Sequence, residues 1–243
     1  MYNRRCILVA GTSTAGKSAS LEGLQNQEGV LYLNCEAGKD LPFAHNFKEV
    51  VVLDPLAHVY AAFDTAETRP DIHTIVIDTA TFLMDMYESM YVLTSPNTMK
   101  AWGDYAQYFK RLMQHYVAKS TKRVIILAHH KQVLNESTGV YESFVPVKGS
   151  LANNGIEAFF TNVLVAKRVS ISTLEAYSNP YLNISEDDRE LGYKHVFQTR
   201  PTKSTVGDRI RVSMGLWNKQ ETFIDNNCQL VMDKIDALYA KPK

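Results

Sequence analysis

Apolar positions along this chain fall into two kinds of run. The short ones are apolar almost throughout: Arg5–Ala10, Val30–Asn34, Val50–Leu53, Thr74–Ile77, Arg123–Ala128 and Asn162–Lys167. Short runs rich in Val and Ile, without polar alternation, suit parallel strands buried on both faces. Between them lie longer amphipathic stretches, Lys17–Asn26, Leu56–Thr68, Thr81–Leu93 and Met99–Lys119, which read as helices. The alternation predicts an α/β protein with a mostly parallel, doubly wound sheet. Later the pattern changes. Tyr193–Thr199 and Arg209–Ser213 alternate weakly and predict antiparallel strands at a sheet edge, and Asn227–Tyr239 predicts a closing helix. Leu134–Asn154 and Tyr177–Leu191, the second with acidic Glu186, Asp187 and Asp188, predict exposed loops. With no internal repeat or low-complexity linker, the expectation is one domain over 1–243, its core at about 5–170 and its edge strands and closing helix at about 190–240.

Composition narrows the classes. The chain is 45% hydrophobic and 21% charged, as soluble globular proteins are. Its 26 basic and 26 acidic residues cancel, so any nucleic-acid contact must rest on local basic patches rather than on overall charge. Cys6, Cys35 and Cys228 are odd in number and widely spaced, which suits neither a disulfide framework nor a zinc site. No apolar run has membrane-spanning length and no apolar signal core precedes the first strand, so a cytoplasmic location away from membranes is expected.

The first strand runs into GTSTAGKS, residues 11–18: Gly, four residues, Gly, Lys, Ser, in the strand–loop–helix context of a phosphate loop. Gly11, Thr12, Ser13, Thr14, Ala15, Gly16, Lys17, Ser18 and Ala19 are the expected nucleotide contacts. Glycines free the backbone so that successive N–H groups face phosphate oxygens. Lys17 should reach the β- and γ-phosphates, and Ser18 should hold Mg²⁺. ATP and Mg²⁺ are the implied ligands. A second metal-side carboxylate is expected at the end of another strand, and IVIDTAT supplies Asp78 straight after Ile77. The milder alternative is an Asp that caps the following helix. Two further strand ends carry polar groups suited to hydrolysis. Glu36, in NCEAGKD, could polarise the attacking water. His129, with His130 as second choice, ends the strand of ILAHHKQ and could sense the γ-phosphate.

These four motifs, in this order and spacing, resemble the ATPase core of RecA-like recombinases. The resemblance is nearest to phage nucleotide-binding proteins with a minimal RecA-type core, the Sak-four type of single-strand annealing proteins. MKAWGDYAQYFKRLM and the tail FQTRPTKSTVGDRIR are similar to segments of that group, and the likeness spans roughly residues 5–235. It implies a RecA-like P-loop fold, ATP hydrolysis at Lys17, Glu36, Asp78 and His129, and action on single-stranded DNA in annealing or strand exchange within an infected bacterial host. It also implies a homo-oligomer, ring or filament, and a single-strand-binding protein as a partner. Recombinases of this layout take the base from the Glu36 position. Many AAA+ ATPases place a Glu directly after the strand-ending Asp, where this chain has Thr79.

In the same layout, DNA lies along the loops after the Asp strand and the His strand, which points to Lys100 in the first and Lys131, Tyr141, Phe144 and Lys148 in the second. Arg200 and Lys203, in TRPTKSTVGDR with Arg209, are the expected cations reaching a neighbouring subunit's γ-phosphate. Trp102, Tyr105, Phe109 and Leu112 fall on one helical face and are expected in the core. A helicase-like or loader motor on the same core, an ATP-switched binding module with little turnover, and a small-molecule kinase are the alternatives.

Overall fold

The computed structural model describes residues 2–153 and 155–240. The strands, in chain order, are β1 (Cys6–Gly11), β2 (Val30–Asn34), β3 (Lys48–Val51), β4 (Thr74–Asp78), β5 (Arg123–His129), β6 (Lys131–Asn135), β7 (Val140–Phe144), β8 (Asn162–Ser170), β9 (Tyr193–Gln198) and β10 (Phe223–Asp225). The helices are α1 (Pro55–Thr68), α2 (Ala80–Tyr87), α3 (Thr98–Arg111), α4 (Ile171–Leu174), α5 (Glu186–Leu191) and α6 (Cys228–Ala240). Eight strands form one sheet in the order β10-β9-β8-β1-β5-β4-β2-β3, and β6 and β7 form a separate hairpin. From β8 to β3 every neighbouring pair is parallel, whereas β9 pairs antiparallel with both β8 and β10. This is the mostly parallel α/β sheet with antiparallel edge strands that the sequence predicts.

The uniformly apolar strands are covered on both faces. Cys6, Leu8, Ile75, Ile77, Val124 and Ile126 pack with Val59 and Phe63 of α1, Leu83 of α2, and Tyr105 and Phe109 of α3. The alternate residues Ile7, Val9, Val76, Ile125 and Leu127 pack on the opposite face with Leu21, Leu24 and Val231, Met232 and Ile235 of α6. Two faces of large apolar residues, one set per strand parity, fix the register, because a one-residue slip would exchange every packing partner. Tyr105, Phe109 and Leu112 are fully buried, with Trp102 packed against them, so that aromatic stripe is core. All three cysteines are buried with free thiols.

Local chemistry sets the element ends. The Asp54 side chain accepts from the N–H groups of Leu56 and Ala57, and Pro55 fills the first helical position of α1. Several expected boundaries are corrected. Lys17–Asn26 is no continuous helix: only a short 3₁₀ turn, Ser18–Leu21, follows the phosphate loop. A Cβ at Gly23 would lie 2.5 Å from Asn227 Nδ2, and Asn26, the last residue of the expected helix, takes a left-handed φ of 49°. The strand expected at Val50–Leu53 lies at Lys48–Val51. Thr81–Leu93 and Met99–Lys119 each begin as an α-helix and relax into a π-helical turn, at Glu88–Val92 and Leu112–Tyr116.

Arg209–Ser213 forms no strand, only an isolated bridge between Arg211 and Val163. The expected loop from Leu134 instead contains most of the β6–β7 hairpin; its last residue, Asn154, lies outside the described residues. Tyr177–Leu191 contains α5, whose Ser185 and Asp188 form a reciprocal capping box; the acidic residues sit in the helix's first turn, where its dipole favours them.

Candidate functional site

Four strand ends meet at the carboxyl edge of the sheet, where open parallel sheets bind ligands. Register brings them together. Gly11 of β1 lies opposite His129 of β5, and Asn34 of β2 lies opposite Asp78 of β4. Ser13, Thr14, Gly16, Lys17, Ser18, Ala19, Glu36, Asp78 and His129 therefore line one cleft of about 410 Å³, joined by Tyr32, Lys39, His195 and Asn226.

The loop's backbone is the conformation its glycines and small residues permit. Thr14 has φ 63° and Gly16 φ 92°. A Cβ at Gly16 would lie 2.7 Å from Asn226 Nδ2 and 3.1 Å from His195 Nδ1. Gly11 closes the strand against Ala166 of β8, where a Cβ would meet a carbonyl oxygen at 2.7 Å. Left-handed residues interleaved with right-handed ones turn N–H groups inward and form an anion-binding concavity. Thr12 is exposed, and Ala15 is buried beneath the loop.

Lys17 is 6% exposed, and its Nζ donates to the carbonyls of Gly11 (3.1 Å) and Thr12 (2.8 Å). Burial pulls its pKa down to about 8, against the opposing pull of Asp78 and Glu36. Asp78 is 1% exposed. Burial and the neighbouring Glu36 push its pKa up, while Ser18, Tyr32 and Lys17 hold it down. Its Oδ2 accepts from the Tyr32 hydroxyl at 3.0 Å, whereas Oδ1 is buried with no hydrogen-bond partner among the described residues. A buried, unsatisfied carboxylate oxygen beside a serine hydroxyl is a costly arrangement for an isolated protein and a suitable one for a hard cation. Ser18 and Asp78 thus fit Mg²⁺, held together with phosphate oxygens. Among the described residues, no group of three or more His, Cys, Asp and Glu side chains could hold a metal without such oxygens.

Glu36 follows β2 with its backbone N–H bonded to Asn34 Oδ1 (2.9 Å), and its carboxylate pairs with Lys39 at 3.2 Å. Ala37 and Gly38 both take positive φ and turn the chain back sharply after it. His129 is half-buried, and its Nδ1 lies 3.0 Å from Thr81 Oγ1, which also accepts the His129 N–H at 3.2 Å. Thr81 in turn lies 3.1 Å from Thr79 Oγ1. Burial, and then the Lys17 charge, lower the His129 pKa and favour the neutral ring. His130 does not line the cleft; burial lowers its pKa, and the charges acting on it are those of Asp208, Lys167 and Lys17. Thr79, where many AAA+ enzymes carry a Glu, is fully buried and caps α2.

Five contributors escape sequence reasoning: Lys39 and Thr81, which hold Glu36 and His129, and three that reach in from farther off. Tyr32 sits in an all-apolar strand, where the need of a buried hydroxyl for a partner was the one available signal. His195 Nδ1 lies 3.0 Å from the Ala15 carbonyl, and Asn226 Nδ2 donates to the Gly16 carbonyl at 2.7 Å. Both reach the loop from more than 170 residues away in sequence, and no local pattern announces them.

The other expected residues lie elsewhere. Lys100 pairs with Asp104 (2.7 Å), and Lys148 pairs with Glu88. Lys131 and Tyr141 are exposed on the hairpin; Phe144 lies under the Arg209 guanidinium, which also pairs with Glu157 at 3.4 Å. Arg200 and Lys203 line a second cleft and not the nucleotide cleft of their own chain.

A phosphate loop on the central strand, with a carboxylate on a nearby parallel strand of the same sheet, defines a P-loop nucleotide-binding protein. The family model described as AAA domain matches residues 3–209, and the chain belongs to that family of P-loop ATPases. No curated protein matches it. Among the described residues, no helix is long and apolar enough to cross a membrane.

Proposed function

We propose that this protein hydrolyses ATP with Mg²⁺ and couples the nucleotide to its hold on single-stranded DNA, in annealing or strand exchange of the kind its phage-type resemblance implies. The observation that carries the nucleotide half is the convergence of Lys17, Ser18, Asp78, Glu36 and His129 on one cleft.

Bound Mg²⁺ would neutralise charge on the β- and γ-phosphates. The chain's own residues do the rest. The loop N–H groups and Lys17 orient the triphosphate. Glu36 takes a proton from the attacking water, with the Lys39 ammonium paired beside it. His129, fixed by Thr81, donates from its ring to the terminal phosphate, so that its position differs before and after hydrolysis. Because β6 begins two residues after His129, such a shift passes directly into the hairpin. The DNA half rests on the resemblance to single-strand annealing proteins.

The test is ATP hydrolysis at low salt with Mg²⁺, with and without single-stranded DNA. Stimulation that vanishes in Lys17→Ala supports the proposal. Hydrolysis indifferent to DNA removes the DNA half and leaves an ATPase with another client.

A further inference from the structure

A second cleft, of about 820 Å³, opens between the end of β8, the exit of β9 and the turn before β10. Lys167, Arg168, Arg200, Lys203 and Lys219 line it, and no carboxylate does. In a chain of zero formal charge this is a local segregation of sign. Lys167 is neutralised by Asp208 at 2.8 Å. The other four are exposed and have no carboxylate partner among the described residues. Arg168 donates to the Thr14 carbonyl (3.3 Å) and lies over the Tyr193 ring, and Arg200 donates to the Trp217 carbonyl at 3.1 Å. Four unneutralised cations around one groove repel one another, and a polyanion laid along them relieves that repulsion and releases its own counterions.

The groove is also built. Gln198 is fully buried in its wall, and its Nε2 donates to the Arg200 carbonyl and to Thr205 Oγ1, both at 2.7 Å. That clamp shapes the turn carrying Arg200 and Lys203. Tyr177 lines the same cleft, half-buried and packed edge-to-face on Phe223 at 4.9 Å. Of the three lysines expected to meet DNA, Lys100 and Lys148 each pair with a carboxylate, and Lys131 stands alone and exposed on the hairpin.

We propose that this cleft, rather than the loops after β4 and β5, holds the sugar–phosphate backbone of single-stranded DNA. The inference rests on the DNA half of the function proposed above and assigns it a surface. It also supplies a link to the nucleotide: Arg168 touches both the groove and the phosphate loop at Thr14. A strand drawing on the Arg168 charge acts on the loop that holds ATP.

The experiment is fluorescence anisotropy of a labelled poly-dT oligonucleotide, with ATP and Mg²⁺, over a series of salt concentrations. The double variant Lys203→Glu, Lys219→Glu should weaken binding at least about tenfold and flatten the salt dependence, whereas Lys100→Glu should change affinity by less than about twofold. The single variant Lys219→Glu, with an unchanged melting temperature and unchanged ATP hydrolysis without DNA, should show a smaller loss in the same direction. If the double variant binds like wild type while Lys131→Glu or Tyr141→Ala loses binding, the strand lies on the hairpin: the cleft assignment fails and the DNA reading stands. If wild-type protein hydrolyses ATP yet binds no oligonucleotide at the lowest salt, both fall.

Discussion

The Tyr32 hydroxyl donates to Asp78 Oδ2 over 3.0 Å from the neighbouring strand, and together with the Ser18 hydroxyl it holds the pKa of that buried carboxyl down. Tyr32→Phe removes that bond from a carboxylate only 1% exposed. The stability cost is expected at about 1–3 kcal/mol. The acid limb of the ATPase profile should also move to higher pH, because an already raised Asp78 pKa loses a group that holds it down. Denaturant unfolding and a pH–rate profile check the two effects separately; an unmoved acid limb would mean that Asp78 does not set it.

Lys17 makes stability and affinity respond to pH in opposite directions. In the folded chain its pKa is lowered from 10.5 to about 8 by burial. A base with a lowered pKa binds fewer protons folded than unfolded between those values, so stability without nucleotide rises with pH across that window; the cost of the buried ammonium is fully present below it. ATP needs the ammonium, so its affinity should fall as pH rises above about 8, with proton uptake on binding. Calorimetric titration in buffers of different ionisation enthalpy reads the uptake, and Lys17→Met should abolish both trends.

Glu36→Gln should keep ATP binding within about twofold while lowering turnover by about 100-fold or more, the usual worth of a general base. Single-turnover kinetics with a separate binding measurement distinguish the roles. Unchanged turnover would remove Glu36 from the chemistry and strengthen the reading of a switched binding module.

Thr81→Val removes the oxygen that bonds His129 through both ring and backbone. Hydrolysis is expected to fall about tenfold with ATP affinity preserved, since positioning and not binding is lost. A loss of ATP binding instead would place Thr81 among the groups that shape the loop.

Gly16→Ala should abolish ATP binding, because a methyl group meets Asn226 and His195 at a φ of 92°. Asn226→Ala tests the brace from the other side. The loop keeps its conformation but loses one carbonyl anchor, and ATP affinity should drop by roughly 5- to 30-fold, the equivalent of about 1–2 kcal/mol.

What the sequence made legible follows from how local each cause is. β2 falls where its apolar run does, and β1, β4 and β5 fall within a residue, because burial on both faces writes itself into every position. The phosphate loop and Asp78 were legible for the same reason: a strand end followed by glycines or an acid is a short-range signal. β3 was displaced because it is an edge strand whose alternate residues face outward. The three residues of β10 owe their strand to pairing with β9 and not to their own pattern. Arg209–Ser213 had strand-like alternation but found only the Val163 bridge. In the site, the places of Glu36 and His129 in the cleft were legible because one lies two residues past a strand and the other ends one. Tyr32, His195 and Asn226 were not, since what they contribute is a partner far away in sequence.

The brace formed by His195 and Asn226 has a consequence for how the protein comes into being. The phosphate loop's carbonyls at Ala15 and Gly16 are anchored by residues made some 180 and 210 positions after it. On the ribosome the motif is thus present long before it is shaped, and a nascent chain has no finished grip on ATP until β9 and the turn before α6 have emerged. The family match stops at residue 209, before Asn226. An expression fragment trimmed to that match would carry every signature residue and still lack one side of the cradle.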